Sequence, residues 1–361
     1  MISTLLLCVS LPLFASHDPA GHEHGHEHEH SQDKAWKKPT ISETPVYVGS
    51  GKHRYRWDSE WMKLPEGREW LGSTHGCIVV DKKDRVYLSA ETGPAVLVFA
   101  EDGTLERSFG EEWKGGLHGL SIVEESDGAE GTREVLYLAH TSKREVIKTT
   151  LTGEVLLRIE PPPASTGLYE KPEQYKPTSV AVGPDGTVFV ADGYGLSWIH
   201  RYDKKGVYLS SFGGRGNKKQ HLSTPHGLWL GTNSKQPVLI VADRENHRLV
   251  RFDMKGKFLG ASDRDSGLLR RPCHVQFLGD VGVVSDLAGR TTLINSRFEL
   301  LAHLGDNPDE SQRANYGVTP DLWREGRFLA PHCARFNSKG ELFVMDWNVA
   351  GRVTRLVPAP E

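Results

Sequence analysis

The stretch PTSVAVGPDGTVFVADGYGLSWIHRYDKKGVYLSSFG, residues 177–213, decides how the rest of the chain is read. A short apolar strand, PTSVAVG, runs into a turn. A second strand, TVFVADGY, ends on small and acidic residues, and a third, WIHRYDKKG, carries an arginine and closes on a glycine. Short runs rich in β-branched and aromatic residues, bounded by Gly, Pro and Asp, are strands joined by tight turns.

The same pattern recurs on both sides. Openings read THGCIVVD from residue 74, LHGLSIV from 117, PTSVAVG from 177, PHGLWLG from 225, PCHVQFLG from 272 and PHCARFN from 331. Second strands read RVYLSAE, VLYLAH, TVFVADGY, VLIVADREN, VGVVSD and LFVMDWN. A period of about 43 to 60 residues is the size of one four-stranded blade. Six copies predict an all-β, six-bladed β-propeller, a single domain despite its length. The last blade runs out at Glu361 after three strands, so HRYRWDSEWMK (53–63) is expected to supply its outer strand and close the ring. Two long connections, 161–176 and 305–328, are candidates to cover one end of the central channel.

Composition narrows the partners. Of 361 residues, 44 are Lys or Arg and 47 Asp or Glu, a net charge of −3, so no basic excess exists to neutralise phosphates. Nucleic acid is not expected. Four cysteines are too few for a disulfide scaffold. The apolar run LLLCVSLPLFA at 5–15 is too short to span a membrane and precedes Ala15 and Ser16, so residues 1–16 read as a signal peptide. A secreted or periplasmic protein is expected, without membrane insertion. Residues 17–44 begin with His17, His22, His24, His26, His28 and His30 among Glu and Gly. That composition builds no core and reads as a disordered metal-capturing tail or a solvated spacer. The propeller is assigned to 45–361.

First strands of a propeller line the channel, so equivalent positions converge on its axis. His75, His118, His226, His274 and His332 stand at five of the six openings, and Thr178 at the sixth. Three neutral imidazoles with an open position form a catalytic zinc pattern. Such a metal polarises or deprotonates a substrate oxygen. Zn2+ is the expected ion, although other divalent transition metals also accept imidazole. By strand alternation Cys77 should share the face of His75 while Cys273 and Cys333 point away, all three as small buried hydrophobes. Asp192, Asp243, Asp286 and Asp346 recur after second strands and read as turn caps. No phosphate loop, nucleophile elbow or zincin motif occurs.

Taken together, VADGY, PHGL, VADREN and LAPHCARFNSKGELFVMD resemble NHL-repeat propellers and, more narrowly, peptidylamidoglycolate lyase, the lyase half of peptidylglycine α-amidating enzymes. The resemblance covers most of residues 70–358. It implies a metal held by His118 (LHGL), His226 (PHGL) and His332 (APHC), with Tyr194 of the DGY motif handling a proton and Arg244 of ADREN holding a carboxylate. The implied reaction splits a peptidyl-α-hydroxyglycine into a peptide amide and glyoxylate, with a monooxygenase acting upstream. Three positions depart from the family. Ala90 and Glu91 stand where it has a second arginine, Cys333 stands where an aspartate holds its calcium, and His75 and His274 are additional channel histidines. Arg290 and Arg352 are candidates to supply the missing charge.

Two other readings fit the same residues. One is a non-catalytic NHL propeller that binds a ligand or protein around a structural metal. The other is metal storage or delivery through the His-rich tail. An open coordination position flanked by Tyr194 and Arg244 favours the enzyme. A site closed by His75 or His274 favours the structural metal.

Overall fold

The computed structural model describes residues 36–126, 128, 131–231 and 236–361. The expected signal peptide and the histidines at 17–30 lie outside the described residues. Every opening quoted above begins or immediately precedes the inner strand of a blade. These inner strands are Ile78–Val80, Leu117–Ser126, Ser179–Val182, Pro225–Gly231, Pro272–Leu278 and Pro331–Phe336. Each touches its two neighbours in a closed cycle, with the first meeting the last. Blades one to five are four-stranded antiparallel sheets.

Blade six closes as expected. Tyr55–Asp58 pairs antiparallel with the last strand, Arg352–Pro358, in a register that sets Trp57 against Leu356. A further short strand, Tyr47–Val48, makes this sheet five-stranded. Apolar faces of adjacent blades pack on each other: Phe189, Leu228 and Val250 share one buried cluster, and Cys77, Phe99, Leu138 and Phe343 another. Among the described residues no helix is long and apolar enough to cross a membrane.

The recurring aspartates bind the blades internally. Asp192 accepts from the Lys176 and Leu196 amides, both at 2.7 Å. Asp243 accepts from Ser223 N at 2.6 Å, Asp286 from Arg270 and Arg271 N at 2.7 and 2.6 Å, and Asp346 from Leu329 and Ala330 N. Each carboxylate at the end of a second strand thus holds the chain just before its own inner strand. Arg248, Arg290 and Arg352 complete three of these units, at 2.8, 3.2 and 3.6 Å from Asp243, Asp286 and Asp346. Arg290 and Arg352 are therefore committed to structure and do not replace the missing pocket arginine.

Candidate metal centre

A one-residue bulge aims each key histidine. In blade two the register steps from Leu117↔His140 to Gly119↔Ala139, leaving His118 as the extra residue. The same step leaves out His226 between Pro225 and Gly227, and His332 between Pro331 and Cys333. A bulge turns a side chain away from strict alternation, which is why such steps favour functional sites. The three rings meet nearly edge to face, with centroids 4.6 to 4.9 Å apart.

Each imidazole is tied from behind by the next blade. His118 Nδ1–H donates to Thr178 O at 2.8 Å, His226 Nδ1–H to Cys273 O at 3.1 Å and His332 Nδ1–H to Gly76 O at 2.6 Å. A carbonyl only accepts, so all three carry their proton on Nδ1 and present a lone pair at Nε2. This backing orients metal-binding histidines. The glycine after the histidine makes room for it: a Cβ on Gly119 would stand 2.5 Å from Thr178 O, and one on Gly227 2.4 Å from Cys273 O. Burial keeps the rings neutral, pushing His118 down to about 3 and His226 and His332 well below the usual histidine range. His332 Nε2 is buried with no hydrogen-bond partner. Preset tautomers, neutral rings and this orphaned atom fit a metal ion.

Tyr194 caps the group. Its hydroxyl lies 3.2 Å from His75 Nε2, 3.2 Å from His118 Nε2 and 3.0 Å from His226 Nε2, and it accepts from Arg244 Nη1 at 3.3 Å. Burial raises the phenol above its ordinary value, with Arg244 offsetting part of the rise, so at neutral pH the group keeps its proton. Tyr194 thus starts as an acid, contrary to the lowered value a resting base would need. Arg244 is held on its other edge by Glu245 at 2.9 Å, which also takes Arg271 at 2.7 Å.

His75 joins this cluster and His274 leaves it. His75 shares a candidate ligand group with His118 and His332, and its ring lies 5.7 Å from Trp347. His75 and Tyr194 are partly exposed, whereas the other three histidines are at most 2% exposed, so the site opens on the His75–Tyr194 side. The 305–328 connection reaches that side, with Tyr316 stacking on Trp347 and donating to Ser73 Oγ at 2.9 Å. The 161–176 connection instead packs Tyr169 and Tyr175 around Val180 and Tyr202.

In blade five the bulged residue is Cys273, and His274 stands one step on, opposite Ser285. The alternation expected for the cysteines therefore fails there. Cys273 groups with His226 and His332, while Cys77, His274 and Cys333 form a separate buried group. Aligning the openings on Pro225, Pro272 and Pro331 exposes the shift in the sequence itself, because Cys273 falls under His226 and His332.

No protein-family model matches the chain. Over 175 residues it is 39% identical to a Caenorhabditis elegans protein named "Probable peptidyl-alpha-hydroxyglycine alpha-amidating lyase", taking in 47% of this chain and 46% of that one. Over 181 residues it is 30% identical to the peptidyl-glycine alpha-amidating monooxygenase of Mus musculus, 47% of this chain and 17% of that one. The chain resembles the amidating lyases. It spans less than half the length of these curated relatives. Among solved structures, a streptogramin B lyase superposes with a TM-score of 0.55 at 13% identity, covering 85% of this chain and 99% of that one. The Staphylococcus aureus virginiamycin B lyase gives 0.53 at 13%, covering 80% and 96%. These two likenesses concern the propeller fold alone. In blade one, burial raises the Glu91 carboxyl to about 7, against a hydrogen bond from Gly116 N–H that lowers it.

Proposed function

We propose that the chain is an exported, metal-dependent carbon–nitrogen lyase acting on a peptidyl-α-hydroxyglycine or a close relative of it. The observation that carries this reading is the set of three buried imidazoles, His118, His226 and His332, each backed by a carbonyl of the next blade and capped by Tyr194 and Arg244. His118, His226 and His332 would hold the ion, Zn2+ by the chemistry of the donors; His332 groups with His75 and His118 on one side and with His226 and Cys273 on the other. A divalent cation there supplies Lewis acidity towards a hydroxyl group.

The chain's own residues do the rest. Arg244 offers a guanidinium edge to a substrate carboxylate. Tyr194, in contact with His75, gives its proton to the amide nitrogen as the C–N bond breaks and takes up the one the substrate hydroxyl releases. The products are a primary amide and glyoxylate, with no net gain or loss of protons. An upstream monooxygenase would supply the hydroxylated substrate.

The test compares metal content and α-hydroxyhippurate cleavage in the full chain and in His226→Ala. The variant should hold about one metal ion fewer per chain and release no glyoxylate. Equal metal content would remove the site. A wild type that holds the ion yet releases no glyoxylate would leave a structural metal in a binding propeller.

A further inference from the structure

A second cluster draws on blades five, six and one. Cys77, His274 and Cys333 place one donor atom each within 4.8 Å of one another, and all three are at most 1% exposed. The donor atoms of this group are not those of the three imidazoles described above, although the His274 ring stands 5.9 Å from that of His226. Both sulfurs approach the Ile78 carbonyl, at 3.6 Å from Cys77 and 3.4 Å from Cys333. Arginine only donates, so His274 accepts from Arg335 at Nδ1 and carries its own proton on Nε2, which has no hydrogen-bond partner among the described residues.

Arg335 gives the cluster its charge. Only 4% exposed, it donates to Ala334 O at 3.0 Å and lies 3.7 Å from Cys77 Sγ and 3.4 Å from His274 Nδ1. No carboxylate pairs with it among the described residues, although Arg248, Arg290 and Arg352 all have one. An uncompensated buried guanidinium is costly, so the cluster calls for a negative partner.

We propose that Cys77 and Cys333 form a two-coordinate Cu(I) site, with Arg335 as its counter-charge and His274 holding the guanidinium in place. Two thiols release their protons to solvent and bind the ion as thiolates, with copper entering and remaining as Cu(I), so no electron is transferred. Two thiolates, one monovalent cation and one guanidinium leave the interior neutral. A divalent ion would leave it positive. Soft thiolates select Cu(I), whereas structural zinc takes four ligands, and among the described residues no further titratable donor joins this group. A Cys77–Cys333 disulfide would strip Arg335 of its anion, so the charge argues against it. Cys77 and Cys333 stand on the first and last blades, so the ion also staples the ring.

The experiment titrates the reduced full chain anaerobically with Cu(I) against a chromophoric Cu(I) chelator, and repeats it with the double variant Cys77→Ser, Cys333→Ser. The wild type should hold one equivalent more than the variant and melt at a higher temperature when loaded. Equal stoichiometry and equal melting would overturn the site. X-ray absorption of the loaded wild type needs no variant. Sulfur neighbours to copper support the site, and a shell of nitrogen alone overturns it. A thiol count showing a Cys77–Cys333 disulfide that survives reductant also overturns it, as does sulfur-bound zinc that Cu(I) fails to displace. None of these readouts depends on lyase activity, so they stand apart from the reading of the three-histidine centre.

Discussion

At the residue scale, Tyr194 carries the most chemistry for its size. Its single hydroxyl touches three imidazoles and a guanidinium, and it can donate to only one of them. Tyr194→Phe keeps the ring packing and leaves the Nδ1 backing of the histidines untouched. It should retain metal while losing about 10²- to 10⁴-fold in the rate of glyoxylate release, the usual worth of a placed acid or base. Metal loss equal to that of His226→Ala would make the phenol a structural part of the centre instead. Glu91 gives a pH-dependent counterpart. The folded chain holds its proton up to about pH 7, whereas an unfolded glutamate releases it near 4.5. Between those values the folded state binds more protons, so stability is fully present below the unfolded value and falls as pH rises. Glu91→Gln should flatten urea-unfolding stability across that window by on the order of 2–3 kcal/mol. An unchanged slope would show that the buried carboxyl is already ionised.

At the element scale, the unit that matters is the bulged histidine, the glycine after it and the neighbouring carbonyl. Gly227→Ala would set a Cβ 2.4 Å from Cys273 O and 2.7 Å from His274 Nδ1, so the blade-five strand must retreat and loosen His226. The expected cost is about 1–3 kcal/mol in unfolding free energy. Metal affinity should fall ~10- to 100-fold, the effect of losing a backing hydrogen bond. Gly231→Ala, which meets only Val238 O at 3.7 Å, should change neither. The same unit explains what the sequence made legible. Blade number, strand order, the closing strand and the aspartate caps follow from turn chemistry and period-2 patterning. The repeat singles out His75, His118, His226, His274 and His332, and the resemblance to the amidating lyases narrows them to His118, His226 and His332. The bulge follows from neither, because one extra residue changes which side chain reaches the axis without changing composition. Hence the sequence places His274 with the channel histidines, whereas the fold puts Cys273 in that position and sends His274 to Cys77 and Cys333. Arg335 sits inside the opening PHCARFN without a signal of its own, and only its burial with no carboxylate among the described residues marks it.

At the scale of the whole molecule, the ring is a loop of nearest-neighbour contacts whose closure joins residues almost three hundred positions apart. Arg355 bonds Asp58 across that join at 2.7 Å, and Trp57 packs on Phe328 with centroids 4.6 Å apart. The metal centre spans the neighbouring contact between blades six and one, because the bond that orients His332 ends on Gly76. Loosening the seam should therefore free His332 before it disturbs His118 or His226, whose backing carbonyls lie in blades three and five. Trp57→Ala removes a 3%-exposed indole and should cost about 3–5 kcal/mol. A fair comparison is Phe252→Ala, a fully buried ring in blade four with a cost in the same range. If closure governs the site, metal release to a chelator should be faster in Trp57→Ala than in Phe252→Ala at matched stability. Equal release rates would mean that the centre senses only global unfolding, and that the seam has no special hold on His332.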